Sequence, residues 1–371
     1  MWVLSSLGII LFFLYARLFL SYMKGWKETK LSVPVQQPEF ASFSILVPFR
    51  NEAQSLPRLF QCFENLDSDG ITVELILIDD HSEDRSFQLA KAWSEQQPWA
   101  RCVQSKGIAK KAAIQTGIEL AQNEFILCTD SDVQFGSGWL RAFAEQANET
   151  TQLISGPVQL EGKGGFFHRW QELEFSGLIA IGAASIQMNR PNMCNGANLA
   201  YRKSAFHQVN GFEDNAHLMS GDDEFLMHKI YATYGRQAVH FLKDKRALVY
   251  TETKDSLTAF LSQRSRWSSK ATQYKDKRVT LDLFIAYFAA CFALSGILIL
   301  PFSLYWAIPG LLFLAGKSFL EFVFFGQILS FFAQEKQRKY FFVSELFQVV
   351  YVVVIGVLGT FVKFEWKGRK Q

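Results

Sequence analysis

Asp130 and Asp132 stand on alternate residues directly after the apolar run Phe125-Ile126-Leu127-Cys128. Two carboxylates so spaced at the end of a strand both point off the tip of a sheet, and they repel each other unless a cation sits between them. Mg²⁺ or Mn²⁺ suits that position, because a hard divalent ion takes oxygen ligands and shares them with a substrate phosphate. Taken alone, Asp-x-Asp after a hydrophobic stretch is more often a turn with a helix N-cap. Its neighbours along the chain change that balance.

Two earlier apolar runs also end in polar groups. Phe43-Ser44-Ile45-Leu46-Val47-Pro48 leads to Arg50-Asn51-Glu52 and a helix from near Pro57. Val73-Glu74-Leu75-Ile76-Leu77-Ile78 leads to Asp79-Asp80-His81-Ser82-Glu83-Asp84, then a helix opened by Ser82 or Asp84. Three strand-then-loop units therefore deliver chemistry to one edge, and open parallel sheets bind ligands at the carboxyl ends of their strands. Lys106, Lys110 and Lys111 precede or begin the helical pattern 112–121, where a lysine can face a phosphate or merely a solvated helix start. Strands are expected near 43–48, 72–79, 101–104, 124–129, 152–159, 196–201 and 247–252. Further on, Ser220-Gly221-Asp222-Asp223-Glu224 opens a helix, where acids complement the dipole, and Gln263-Arg264-Ser265-Arg266-Trp267 lies on a basic helix.

Taken in order, these motifs are Asp-Asp-x-Ser, Asp-x-Asp, an acidic pair followed by x-x-Leu, and Gln-x-x-Arg-Trp. Over about residues 43–270 the chain resembles the family 2 inverting glycosyltransferases, in the membrane-bound branch that holds cellulose, chitin and hyaluronan synthases and the ceramide glucosyltransferases. The resemblance implies an α/β fold of GT-A type, a Rossmann-like nucleotide-sugar-binding domain flanked by N-terminal and C-terminal transmembrane helices. It implies that Asp130 and Asp132 hold Mg²⁺ or Mn²⁺ bridging a diphosphate, that Asp79 or Asp80 receives uracil or ribose of a UDP-sugar, and that Lys110 assists the phosphates. Gly196 and Asn198 would lie beside the donor sugar. Asp223, the second acid of its pair, would be the base, worth about 10²–10⁴ in rate, and direct attack would invert the anomeric centre. Asp222 would cap its helix, and with Gln263, Arg266 and Trp267 would serve the acceptor and product side.

The composition agrees. With 371 residues, a net charge of +3 and no basic-aromatic stripe, the chain has no pull toward nucleic acid. Five cysteines without C-x-x-C spacing are neither a zinc site nor a disulfide framework and fit a reducing compartment. Of six histidines, only His81 lies within a motif.

Residues 2–23 are apolar except for Arg17 and long enough for a bilayer. Lys24, Lys27 and Lys30 follow this segment and no Lys or Arg precedes it, which favours an uncleaved anchor with the next domain in the cytoplasm of a bacterial inner membrane or its equivalent. Apolar runs recur at about 281–300, 302–330 and 341–362, with Pro301 and Pro309 as breaks and Lys317 one turn from Glu321. Three full spans would leave the basic tail Lys367-Gly368-Arg369-Lys370 outside, so one run is re-entrant or interfacial if charge decides. The divisions expected are an anchor 1–23, a linker 24–41, a catalytic domain 42–253, an interfacial helix 254–280 and a membrane region 281–371 of two to three spans. The helix from Phe166 to about Met188 reads equally as membrane-surface or as core. The acceptor expected is a membrane lipid glycosylated once; a processive polysaccharide synthase and a catalytically silent scaffold are the alternatives.

Overall fold

The computed structural model describes residues 2–35, 37–215, 221–270, 273–274, 276–361, 365–366 and 369–370. Ser220 of the acidic-pair motif and Lys367 and Gly368 of the basic tail lie outside the described residues. The chain forms two compact units: residues 29–161 with 191–252, and residues 1–28 with 162–190 and 253–371.

The first unit is built on a seven-stranded sheet. Its parallel half comprises β1 (Ser42–Phe49), β2 (Thr72–Asp79), β3 (Ala100–Gln104) and β4 (Phe125–Thr129), in the order β3-β2-β1-β4. β1, β4 and the carboxyl-terminal part of β2 are buried on both faces, so they read as continuous apolar runs rather than alternating ones, whereas the edge strand β3 is only partly buried. Ile45, Leu46, Leu75, Leu77, Ile126 and Leu127 have no exposed surface. Helices α2 (Leu56–Glu64), α3 (Ser86–Ser94) and α4 (Lys110–Leu120) make the crossovers. Pro57 sits in the first turn of α2, where its missing N–H costs no hydrogen bond. Neither Ser82 nor Asp84 caps α3; the cap position is Arg85, and the Asp84 carboxylate accepts the Ser86 N–H.

Residues 152–159 do not form one strand. Gly156 and Pro157 divide them into β6 (Leu153–Ser155) and β7 (Val158–Glu161), because proline has no N–H for the ladder. β8 (Asn198–Arg202) runs antiparallel to both β4 and β6, and β6 pairs with the short β9 (Val239–Phe241). β7 joins β5 (Val133–Phe135) and β10 (Val249–Glu252) in a three-stranded sheet. β5 and β9, three residues each, are too short to announce themselves in sequence. Helices α5 (Trp139–Gln146), α7 (Lys203–Gln208) and α8 (Asp222–Tyr234) complete the unit.

The second unit is helical: α1 (Trp2–Glu28), α6 (Phe166–Gln187), α9 (Leu257–Ser268), α10 (Lys277–Ile299), α11 (Leu304–Ile328) and α12 (Phe341–Phe361). Segment 162–190 belongs here, so the catalytic stretch expected at 42–253 is interrupted by α6. Fifteen α6 residues are buried, and its two central acids are paired. Glu172 meets Arg169 at 2.8 Å and Glu174 meets Arg264 at 2.6 Å. It is a core helix of this unit. Among the described residues four helices, in α1, α10, α11 and α12, are long and apolar enough to cross a membrane. They expose Phe13, Leu312 and Phe319 by about two-thirds, as lipid-facing rather than water-facing surfaces do. Pro309 does not break α11, which continues for 19 residues beyond it to Ile328. Lys317 pairs with Glu321 at 2.6 Å as the i,i+4 spacing predicts; Glu345 of α12 also binds Lys317, and the Tyr15 hydroxyl donates to Glu321.

Candidate active site

The carboxyl ends of β1, β2 and β4 lie side by side because the strands are parallel and in register, with Phe49 opposite Asp79. The loops after β1 and β2 are clasped together. Arg50 donates to the carbonyls of Asp80 (3.0 Å) and His81 (2.7 Å) and pairs with Glu83 at 2.7 Å. The Asn51 amide oxygen accepts the Glu83 N–H, and Ser82 Oγ accepts the Asn51 N–H. Asn51 and His81 hold positive φ of 53° and 58° in these turns.

Asp79 and Asp80 are buried beneath this clasp. Asp79 accepts the Ser82 N–H at 3.1 Å. Asp80 Oδ1 accepts the Ala109 N–H at 2.9 Å and lies 3.6 Å from His81 Nδ1. Ala109 has φ 80°, and that turn sets Lys110 at the first position of α4.

Lys110 is where the site converges. Its ammonium lies 2.6 Å from Asp130 and 3.7 Å from Asp222. Burial would lower this lysine, but Asp130, then Asp222 and Asp223, hold it well above the ordinary value. Asp222 is brought in by the start of α8. The cap there is Gly221, in the left-handed region at φ 81°, so Asp222 is the first helical residue and not the cap. Asp223 turns its carboxylate onto backbone: Oδ2 accepts from Gly196 and Oδ1 from Glu224, both at 2.8 Å. A Cβ on Gly196 would stand 3.3 Å from the Asp222 carboxylate and 3.4 Å from the Lys110 ammonium, so a side chain there would press on the charged groups of the site. The Thr129 hydroxyl, donating to the Ala197 carbonyl at 2.8 Å, ties the end of β4 to this segment.

Asp79, Asp80, Lys110, Asp130, Gly196, Asp222 and Asp223 therefore share one edge of the sheet. Asp132 lies on the same turn as Asp130 and is exposed. The donor set suits a hard cation. Among the described residues no cluster of three or more protein ligands occurs, and Mg²⁺ and Mn²⁺ are commonly held by one or two carboxylates with substrate phosphates supplying the remainder. Asn198 is placed differently. It is fully buried, its amide donates to the carbonyls of Pro157 (2.7 Å) and Ala247 (2.8 Å), and its oxygen accepts the Trp139 indole N–H at 2.9 Å. That side chain ties the two sheets together. Gln263, Arg266 and Trp267 are half-buried residues of α9, in the helical unit. Sequence reasoning passed over Arg50, whose only signal is its place directly after a strand, and Arg264, hidden inside the Gln-x-x-Arg-Trp motif.

Comparison with known proteins agrees with this geometry. Residues 44–209 match the family described as Glycosyl transferase family 2. The undecaprenyl-phosphate 4-deoxy-4-formamido-L-arabinose transferase of Pseudomonas aeruginosa (strain LESB58) is 28% identical over 134 residues, covering 34% of this chain and 38% of that protein. The dolichol-phosphate mannosyltransferase of Pyrococcus furiosus is 24% identical over 146 residues, 38% of this chain and 41% of that protein. The chain thus spans about two-fifths of the length of the curated relatives it matches. The mannosyltransferase PcManGT from Pyrobaculum calidifontis, solved in complex with GDP-Man and Mn²⁺, superposes with a TM-score of 0.59 at 16% identity, covering 96% of this chain and 98% of that one. With the doubly wound sheet and the acidic carboxyl edge, residues 44–209 are similar to the glycosyltransferase family 2 domains, and the fold is of the GT-A Rossmann-like type.

Proposed function

We propose that this protein transfers a sugar from a nucleoside diphosphate sugar to a membrane lipid by inverting single displacement. The observation that carries the reading is the meeting of Lys110, Asp130, Asp222 and Asp223 at the carboxyl edge of the sheet. Breaking the anomeric bond releases a nucleoside diphosphate, and the developing charge must be met as it forms. Lys110 supplies a fixed positive charge for it. Asp130 and Asp132 would hold Mg²⁺ or Mn²⁺, which offsets diphosphate charge when bound. Asp79 and Asp80 serve the nucleoside end, their carboxylates accepting from ring N–H or sugar hydroxyls, and Gly196 gives the backbone close approach to the sugar. Asp223 takes the proton of an acceptor that arrives protonated, an alcohol or a phosphate monoanion, with Asp222 beside it. Gln263, Arg266 and Trp267 are assigned to the acceptor and product side on the resemblance of their motif to the membrane-bound branch.

The acceptor is read as a lipid phosphate. The relatives are named for undecaprenyl-phosphate and dolichol-phosphate, and four helices here are apolar enough to lie where such lipids reside. Single addition is favoured over polymer extrusion by α10 and α11, whose backbones meet at Gly296 and Gly310. A Cβ on either glycine would be 2.6 Å from the other helix, so no polymer passes between these two. The basic residues after α1 support a cytoplasmic catalytic unit, on the side where nucleotide sugars are made.

The test uses purified full-length protein in lipid nanodiscs with labelled UDP- and GDP-sugars, offered a polyprenyl phosphate, a ceramide or a diacylglycerol. Label extracted into solvent with the polyprenyl phosphate alone is the expected result. Label in a water-soluble polymer would replace this reading with the synthase, and no transfer to any acceptor would favour a silent scaffold.

A further inference from the structure

Arg264 is the least exposed cation of the helical unit among the described residues, at 2%, and its partner Glu174 on α6 is as deeply buried. The guanidinium forks onto that carboxylate, Nη2 to Oε2 at 2.6 Å and Nε to Oε1 at 3.3 Å. A third guanidinium nitrogen, Nη1, donates to the Gln263 side-chain oxygen at 2.8 Å. The Cζ of the same guanidinium lies over the Trp267 ring, 4.2 Å from its centre, and over the Phe260 ring, 4.8 Å from its centre. Trp267 also packs on Phe175 of α6, with 5.7 Å between ring centres. The Tyr351 hydroxyl of α12 donates to Glu174 Oε1 at 3.3 Å, the oxygen that also accepts from Arg264 Nε.

From this arrangement we infer that Arg264, held by Glu174, is a positioning residue that orients Gln263 and Trp267 for the acceptor side of the reaction. The inference rests on the roles proposed above for those two residues. Burying an ion pair costs several kcal/mol per ion, and packed apolar groups of similar volume are often as stable. A pair kept only for stability is therefore replaceable. What an apolar pair cannot do is bond to Gln263 while presenting a flat cation to Trp267. Lysine keeps the charge but lacks the plane and the fork, so it compensates Glu174 without orienting either neighbour.

The experiment compares full-length Arg264→Lys and the double variant Arg264→Met with Glu174→Leu, alongside Gln263→Ala and Trp267→Ala. All are assayed in nanodiscs for thermal unfolding, donor KM, acceptor KM and kcat. Expected is a folded Arg264→Lys protein whose donor KM stays within about twofold. Its kcat should fall, or its acceptor KM rise, by about tenfold or more, as in the two alanine variants. The double variant should unfold near the parental temperature and show the same kinetic defect. Near-parental kinetics in either Arg264 variant, while the alanine variants are impaired, overturns the inference and leaves the motif reading intact. Parental activity in both alanine variants overturns the motif reading and this inference with it. A defect confined to variants that no longer fold makes the pair structural only, which also overturns it.

Discussion

The Lys110 ammonium lies 2.6 Å from the Asp130 carboxylate, a strand-end acid neutralised by a lysine that enters from the next helix back along the chain. This lysine does for Asp130 what a divalent cation would do beside a diphosphate, so a metal proposed at Asp130 would compete with it for the acid. Lys110→Gln should therefore strengthen Mn²⁺ binding to the nucleotide-free protein by several-fold and weaken donor binding, with turnover lowered by about tenfold or more. Calorimetric titration of Mn²⁺ with and without nucleotide separates the two effects. Unchanged Mn²⁺ affinity would mean that Lys110 and the metal do not share Asp130.

Removing the cation should stop transfer. Chelator is expected to abolish activity and added Mn²⁺ or Mg²⁺ to restore it. Asp130→Asn and Asp132→Asn should each raise the metal requirement and the donor KM together, because metal and diphosphate share coordination. Full parental turnover in excess chelator would sink the metal assignment.

Asp223→Asn separates acceptor chemistries. An alcohol must lose its proton on attack, so the variant should turn over about 10²-fold more slowly with a lipid alcohol. A phosphate monoester, with its second pKa near 6, is already largely ionised at pH 7, and the loss with a lipid phosphate should be far smaller. Measuring kcat for both acceptor classes across pH 5.5–8 checks this. Equal losses with both would assign Asp223 a role other than proton removal.

Asn198→Ala is expected to act on stability. It removes three hydrogen bonds and takes their partner from the Trp139 indole N–H and the Ala247 carbonyl in a fully buried place, while the Pro157 carbonyl keeps the Val249 N–H. The cost should be on the order of 3 kcal/mol, seen as an earlier unfolding of the catalytic unit by hydrogen exchange. A variant with parental protection but weakened donor binding would return Asn198 to the donor site.

Gln37→Cys tests the sidedness. This exposed linker position follows α1 and its basic end, and its thiol should resist impermeant reagents in intact cells and react after permeabilisation. Background from two native thiols is limited: burial pushes Cys128 up to about 12, and burial with the Asp79 charge does the same for Cys102, while the half-buried Cys62 and Cys291 are controlled by the parental protein. Labelling in intact cells would reverse the orientation.

How much could be read without the fold follows from the range over which each signal acts. Continuous apolar runs of five to eight residues bounded by polar loops mark β1, β2 and β4, and their borders fall within a residue or two of expectation. The apolar stretches of α1, α10, α11 and α12 are set by composition alone. The acidic motifs were visible because each carries its chemistry within four residues of chain. Tertiary structure decided everything that requires two distant segments to meet. Lys110 and Asp222, 112 positions apart, converge because β8 is inserted antiparallel beside β4 and draws the start of α8 to that edge. Asp223 turns onto Gly196, and Asn198 turns inward to tie the sheets, for reasons of packing that no local pattern records. Pro157 was visible, but that β6 and β7 would join different sheets was not. The amphiphilic content of α6 admitted a surface or a core, and only the partners of Glu172 and Glu174 made it core. Arg264 reads as one more charge on a basic helix; its burial between a carboxylate and two aromatic rings exists only once α6 and α9 are side by side.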